Sequence, residues 1–197
     1  MNLAEKVNNL DSTKSLVNQL ANSGNLSTSL KNAINTNNVR LLPTSVRIRK
    51  NVGQASGEIE LLTANQDELV GVSDFQGKRL PDGEALIVFG SSVRFADSAN
   101  PAVAKYKTSA PKEAHGAIVK TISNGKIITK DSVRDFETVN GVAALGDDIL
   151  EYPIPRFYGD GKDFQVKMEF PDGVTLPKGA NGNCFEVALY GFITQYK

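Results

Sequence analysis

The sequence has little of what most enzyme and metal sites need, because it contains one histidine, one cysteine and no tryptophan. Zinc sites take several imidazole or thiolate ligands, which His115 and Cys184 together cannot supply. A Ser-His-Asp triad would have to use His115, and the sequence has no G-x-S-x-G nucleophile turn. A single cysteine also excludes an intrachain disulfide. The sequence therefore predicts no catalytic residue, no metal ligand and no cofactor.

The sequence also lacks an excess of charge of either sign, since 22 Lys and Arg residues balance 22 Asp and Glu residues. Proteins that coat nucleic acid usually carry a basic excess, so we expect no direct nucleic-acid binding. We interpret the basic cluster of Arg40, Arg47, Arg49 and Lys50 as the polar face of a strand. A neutral chain offers little electrostatic resistance to association with its own copies.

Long hydrophobic runs are missing as well. No stretch approaches the ~18 apolar residues that a membrane-spanning helix needs. The first residues, Met1 to Lys6, contain no apolar run like that of a signal peptide. We therefore expect a soluble protein that is made in the cytoplasm and has no membrane-spanning segment.

Carboxylates occur in pairs at Asp147-Asp148 and in Asp160-Gly161-Lys162-Asp163. Glycoside hydrolysis needs two carboxylates placed across a sugar, and a sequence cannot show that placement. Acidic residues beside glycine are common in turns. We interpret both groups as turn residues, and keep a carboxylate-pair hydrolase as an alternative.

Residues 1–42 predict a weakly helical arm. Leucine and valine recur at helical spacing, and Asn22-Ser23-Gly24 is typical of a helix end. Both helical patterns are shorter than the ~12–15 residues at which isolated helices become marginally stable, so they need a partner surface. That surface could belong to the same chain or to a neighbouring subunit.

From Pro43 onward the apolar residues follow a period of two. β-Branched and aromatic residues are enriched in about eight candidate strands. These strands are 46–50, 57–63, 85–95, 117–122, 126–129, 148–152, 164–170 and 185–194. Asn124-Gly125 between two apolar runs predicts a hairpin with a type I′ turn.

The strand pattern indicates an antiparallel arrangement. No helical segment alternates with the strands, which disfavours a parallel sheet. In 164–170, apolar and polar residues alternate, as expected for a strand with one buried and one solvated face. Long insertions at 97–114 and 131–147 favour a jelly roll over a regular meander. We predict a mainly β protein, with a jelly-roll type β-sandwich over residues 43–197 behind the arm of residues 1–42.

The C-terminal part carries a resemblance. The segment Tyr152-Pro153-Ile154-Pro155-Arg156-Phe157 is followed by the strand 164–170, by Phe170-Pro171-Asp172-Gly173-Val174-Thr175-Leu176-Pro177 and by a last strand containing Leu189-Tyr190-Gly191. This order resembles jelly-roll coat proteins and related head proteins of bacterial viruses, in which F-P-x-G-x-x-L-P precedes a terminal strand ending in L-x-G.

The resemblance implies a virion structural protein, a capsid subunit that binds copies of itself and other virion proteins and is located in the virion after synthesis in the host cytoplasm. It brings no catalytic residues. The candidate subunit contacts are Leu3, Val7, Leu10, Leu16 and Leu20 in the arm, and Tyr106, Phe157 and Tyr158 in loops. Each of these residues could equally pack on its own domain. The alternatives are an accessory virion protein (decoration, penton or fibre base) and a β-sandwich module that binds glycans or surfaces.

Overall fold

A computed structural model describes residues 10–23, 26–64, 68–75, 77–107, 110–136, 149–179 and 181–197. The described residues form two α-helices, eight strands and two short 3₁₀ turns at Lys112–Ala114 and Val133–Phe136. The helices are α1 (Leu10–Asn22) and α2 (Thr28–Asn35). The strands are β1 (Val39–Asn51), β2 (Glu58–Glu60), β3 (Leu86–Asp97), β4 (Ile118–Ser123), β5 (Lys126–Ser132), β6 (Leu150–Tyr158), β7 (Phe164–Glu169) and β8 (Asn183–Tyr196).

The described strands form two four-stranded antiparallel sheets, which confirms the predicted mainly β, antiparallel architecture. Sheet 1 has the order β1-β8-β3-β6 and sheet 2 the order β2-β7-β4-β5. The first strand therefore pairs with the eighth, the second with the seventh, the third with the sixth and the fourth with the fifth. Two further pairings, β3 with β8 and β4 with β7, complete the sheets.

The main core is built from residues of both sheets. In β7, Phe164, Val166 and Met168 are buried, while Gln165 and Lys167 lie on the other face, as the alternation of the sequence predicts. β8 contributes its odd-numbered apolar residues from Phe185 to Leu189 to the same cluster. The hairpin between β4 and β5 has Asn124 and Gly125 both at positive φ (50° and 72°), which confirms the type I′ turn.

A second apolar cluster lies on the other face of sheet 1, under the two helices. α1 contributes Leu20 and α2 contributes Leu30 and Ile34, and the sheet contributes residues in or next to β1, β3 and β8. Its buried members are Leu20, Leu26, Leu30, Ile34, Val39, Ala85, Ile87, Phe89 and Phe192. The described side chains of the two helices therefore pack on the chain's own sheet, one of the two alternatives left open by the sequence.

β1 begins at Val39, so the predicted boundary between residues 42 and 43 falls inside a strand. Proline is tolerated at position 43 because β1 is an edge strand. The backbone N–H of Arg49 donates to the carbonyl of Val72, and the carbonyl of Arg47 accepts from the N–H of Asp74. The backbone N–H and C=O groups of odd-numbered residues in β1 therefore point away from β8. Pro43 is also odd-numbered, so the N–H that it lacks would point away from β8. The hydrogen bonds between β1 and β8 therefore lose no donor at this position.

The structure corrects the prediction that Phe157 and Tyr158 lie in a loop, because both belong to β6. Val88 pairs with Arg156 and Gly90 with Glu151, so residues 152–155 all lie opposite the single residue Phe89. This bulge removes Pro153 and Pro155 from the hydrogen-bonded ladder. The strand thus accommodates two prolines at the outer edge of sheet 1.

Candidate contact surface

Three charged side chains lie side by side on adjacent strands of sheet 1, beneath the loops that contain Gly71 and Tyr106. Glu186 of β8 pairs across the sheet with Arg49 of β1 and Arg94 of β3. The Arg49 Nε lies 2.6 Å from Oε2 of Glu186, and the Arg94 Nη1 lies 3.3 Å from Oε1. The Glu186 side chain is 1% exposed. Burying a carboxylate is costly unless it is paired, and here two guanidinium groups compensate one carboxylate.

Arg49 also contacts two loops that lie on the sheet, the first around Gly71 and the second around Tyr106. Its Nη1 donates to the carbonyl of Gly71 at 2.8 Å, and its guanidinium lies 4.9 Å from the centroid of the Tyr106 ring. The Tyr106 hydroxyl donates to the carbonyl of Pro101 at 3.0 Å. Burial raises the pKa of Tyr106 far above its usual value, so this donor stays protonated. Tyr106, predicted as a subunit contact, is thus a half-buried support within its own chain.

The first of these loops makes a tight turn beside β1. The N–H of Val72 donates to the carbonyl of Leu69 at 2.8 Å, with Gly71 at φ +79° in the turn. A glycine fits this position because other residues rarely adopt a positive φ. The backbone bonds from Val72 and Asp74 to β1 then extend sheet 1 by a short segment beyond its edge.

The tips of the two loops expose aliphatic side chains. Val70 is 98% exposed, Val103 is 73% exposed and Leu69 is 54% exposed. The loops touch between these tips, since a Cβ added at Gly71 would lie 3.4 Å from the carbonyl oxygen of Ala102. We call Leu69, Val70 and Val103 the loop patch. Val70 is almost fully exposed and adds little to the core, and clustered exposed apolar groups often mark contact sites.

The opposite edge of sheet 1 carries another exposed aliphatic side chain, separate from the loop patch. Ile154 lies between the two prolines at the outermost part of the β6 bulge and is 67% exposed. We call Pro153, Ile154 and Pro155 the edge bulge. Both prolines lack N–H groups, so strand addition at this position is disfavoured. A contact here would rely on side-chain packing.

The sequence-predicted contact residues have different positions. Leu3, Val7 and the Leu10 side chain lie outside the described residues. Leu16 and Phe157 are partly buried against the second apolar cluster, and Leu20 is buried within it. Tyr158 is buried in the main core, where its hydroxyl and that of Thr121 lie 2.7 Å apart, which corrects its prediction as a contact.

Sequence reasoning missed Val70, Val103 and Ile154. An alternating pattern identifies buried positions, and these three residues lie in turns or between prolines, where no period applies. The available signal was an apolar residue at a position where polar residues are usual.

Asp160 joins the start of α2 to the turn before β3. It is buried, and it accepts hydrogen bonds from the Ser27 N–H at 2.8 Å, the Ser27 hydroxyl at 2.5 Å and the Gly83 N–H at 3.0 Å. Ser27 is the N-cap of α2 and accepts from the N–H of Leu30. Asp160 therefore fastens the start of α2 to the turn that precedes β3. Asp147 and Asp148 lie outside the described residues.

Replacing Asp160 with asparagine is expected to lower the free energy of unfolding by about 1–3 kcal/mol, because the amide cannot accept from all three donors. Urea denaturation of the purified variant measures this loss. Asp163→Asn is the matched control, since that side chain is exposed and its loss is expected to stay within about 0.5 kcal/mol. Equal stability of the two variants would contradict the assigned role.

The outer face of sheet 2 is polar. Lys167 lies 2.7 Å from Glu58, Lys78 lies 2.6 Å from Glu60, and Lys120 pairs with Glu169. The hydrogen bond from Lys78 lowers the pKa of Glu60 below its usual value. Solvated pairs of this kind add little stability, typically ~0–1 kcal/mol each. These charged side chains favour contact with water, so the outer face of sheet 2 is a poor candidate for an apolar contact.

Comparisons with protein-family models, with curated proteins and with solved structures found no match. Neither helix in the described part of the chain is long and apolar enough to cross a membrane. Among the described residues, no three His, Cys, Asp or Glu side chains gather into a group that could hold a metal ion.

Proposed function

We propose that this chain is a structural subunit of a virion shell, a jelly-roll domain that assembles with copies of itself. The observation that carries the proposal is the nested pairing of the eight strands, first with eighth through to fourth with fifth. Successive pairs alternate between sheet 1 and sheet 2. One long antiparallel hairpin rolled into two sheets would have this order, which supports a jelly roll over other β-sandwiches.

The choice among jelly-roll functions rests on chemistry, because a fold alone does not determine a function. Jelly rolls occur in viral capsids, in lectins and in cupins. A cupin-type metal site needs several imidazole ligands, and the sequence contains one histidine. Sugar sites often stack a ring on tryptophan, and the sequence has none. Capsid assembly makes neither demand.

The exposed apolar side chains favour assembly. Among the described residues, six large hydrophobic side chains are exposed, and four of them belong to the loop patch and the edge bulge. Their exposure leaves these side chains available to pack against another molecule. Fully burying one valine, leucine or isoleucine contributes about 1.5–3 kcal/mol before the costs of association. A contact of this size becomes strong when a closed shell repeats it.

The oligomeric state of the purified protein tests the proposal. Size-exclusion chromatography with light scattering, followed by electron microscopy, is expected to show closed particles or regular oligomers. Since the contacts are apolar, sulfate should promote assembly, and sodium chloride should not dissolve it. A protein that stays monomeric at every concentration and in sulfate would refute self-assembly. A monomer that binds a preformed shell would instead identify an accessory virion protein.

A further inference from the structure

We draw no further inference here: the strongest candidate, the exposed aliphatic side chains of the loop patch at one edge of sheet 1 and of Ile154 at the other, carries none because nothing in the described part of the structure shows what covers them.

Discussion

Replacing Glu186 with alanine is expected to lower the free energy of unfolding by about 3–5 kcal/mol, the range for removing one partner of a buried ion pair. The loss is large because two guanidinium groups, from Arg49 and Arg94, then face each other across β8 without a carboxylate between them. Both arginines are mostly buried, so water replaces the lost partner poorly. Urea denaturation at a fixed temperature gives the free energy of each variant.

Glu58 provides the matched control, since it also lies between two cations. Its carboxylate is 2.7 Å from Lys167 and 3.9 Å from Lys120, and its side chain is 44% exposed. Glu58→Ala is expected to cost at most about 1 kcal/mol, because solvent screens exposed pairs. If Glu186→Ala cost no more than Glu58→Ala, the buried charge cluster would not stabilise the fold.

The same cluster links stability to the candidate contact surface. Arg49 is held by Glu186 and in turn holds the carbonyl of Gly71, one residue from Val70. Loss of Glu186 frees Arg49 to move and removes the support of the loop patch. Glu186→Ala should therefore weaken assembly even in conditions where the domain stays folded.

The sequence predicted those parts of the fold that depend on local patterns. The type I′ hairpin needed only Asn124 and Gly125 between apolar runs. The alternation in β7 followed from one strand having a buried and a solvated face. α1 ends at Asn22, within the Asn22-Ser23-Gly24 segment that the sequence identifies as a helix end. Each of these signals lies within a few residues of the element that it specifies.

The parts that the sequence could not predict depend on distant partners. Pro153 and Pro155 argue against a strand, and only the bulge opposite Phe89 makes β6 possible. Gly191 of β8 also depends on a distant strand. An added Cβ would lie 1.8 Å from the carbonyl oxygen of Ile87 in β3, so any larger residue would clash there. The local sequence around the β6 prolines or around Gly191 does not indicate which strand lies beside it.

The candidate surface was predicted least well for the same reason. Leu20 and Tyr158 have the composition of contact residues, and the fold buries both. Glu186 lies in an apolar run where nothing marks its partners, which come from strands 137 and 92 residues earlier in the chain. Exposure and charge pairing are properties of the folded surface, so they emerge only once the sheets are assembled.

The helices are expected to be part of one cooperative unit with the sheets, and Leu30→Ala tests this. Leu30 is 0% exposed and packs in the second apolar cluster with residues of β1, β3 and β8. Removing its buried methyl groups should lower the free energy of unfolding by about 2–5 kcal/mol. Urea denaturation followed by both helical and tyrosine signals should give one shared transition at a lower midpoint.

Asn32→Ala separates packing from helix propensity, since Asn32 lies exposed in the same helix. Alanine is the better helix former, so this variant should be as stable as the wild type or slightly more stable. If the arm were a detachable segment, Leu30→Ala would shift the helical signal alone and leave the transition of the sheets unchanged. A shared shift means that truncating the arm would expose Ile87, Phe89 and Phe192 to water, and an assembly defect in such a truncated protein would reflect a damaged domain. Point substitutions at Val70 and Ile154 avoid that ambiguity, because both side chains are largely exposed.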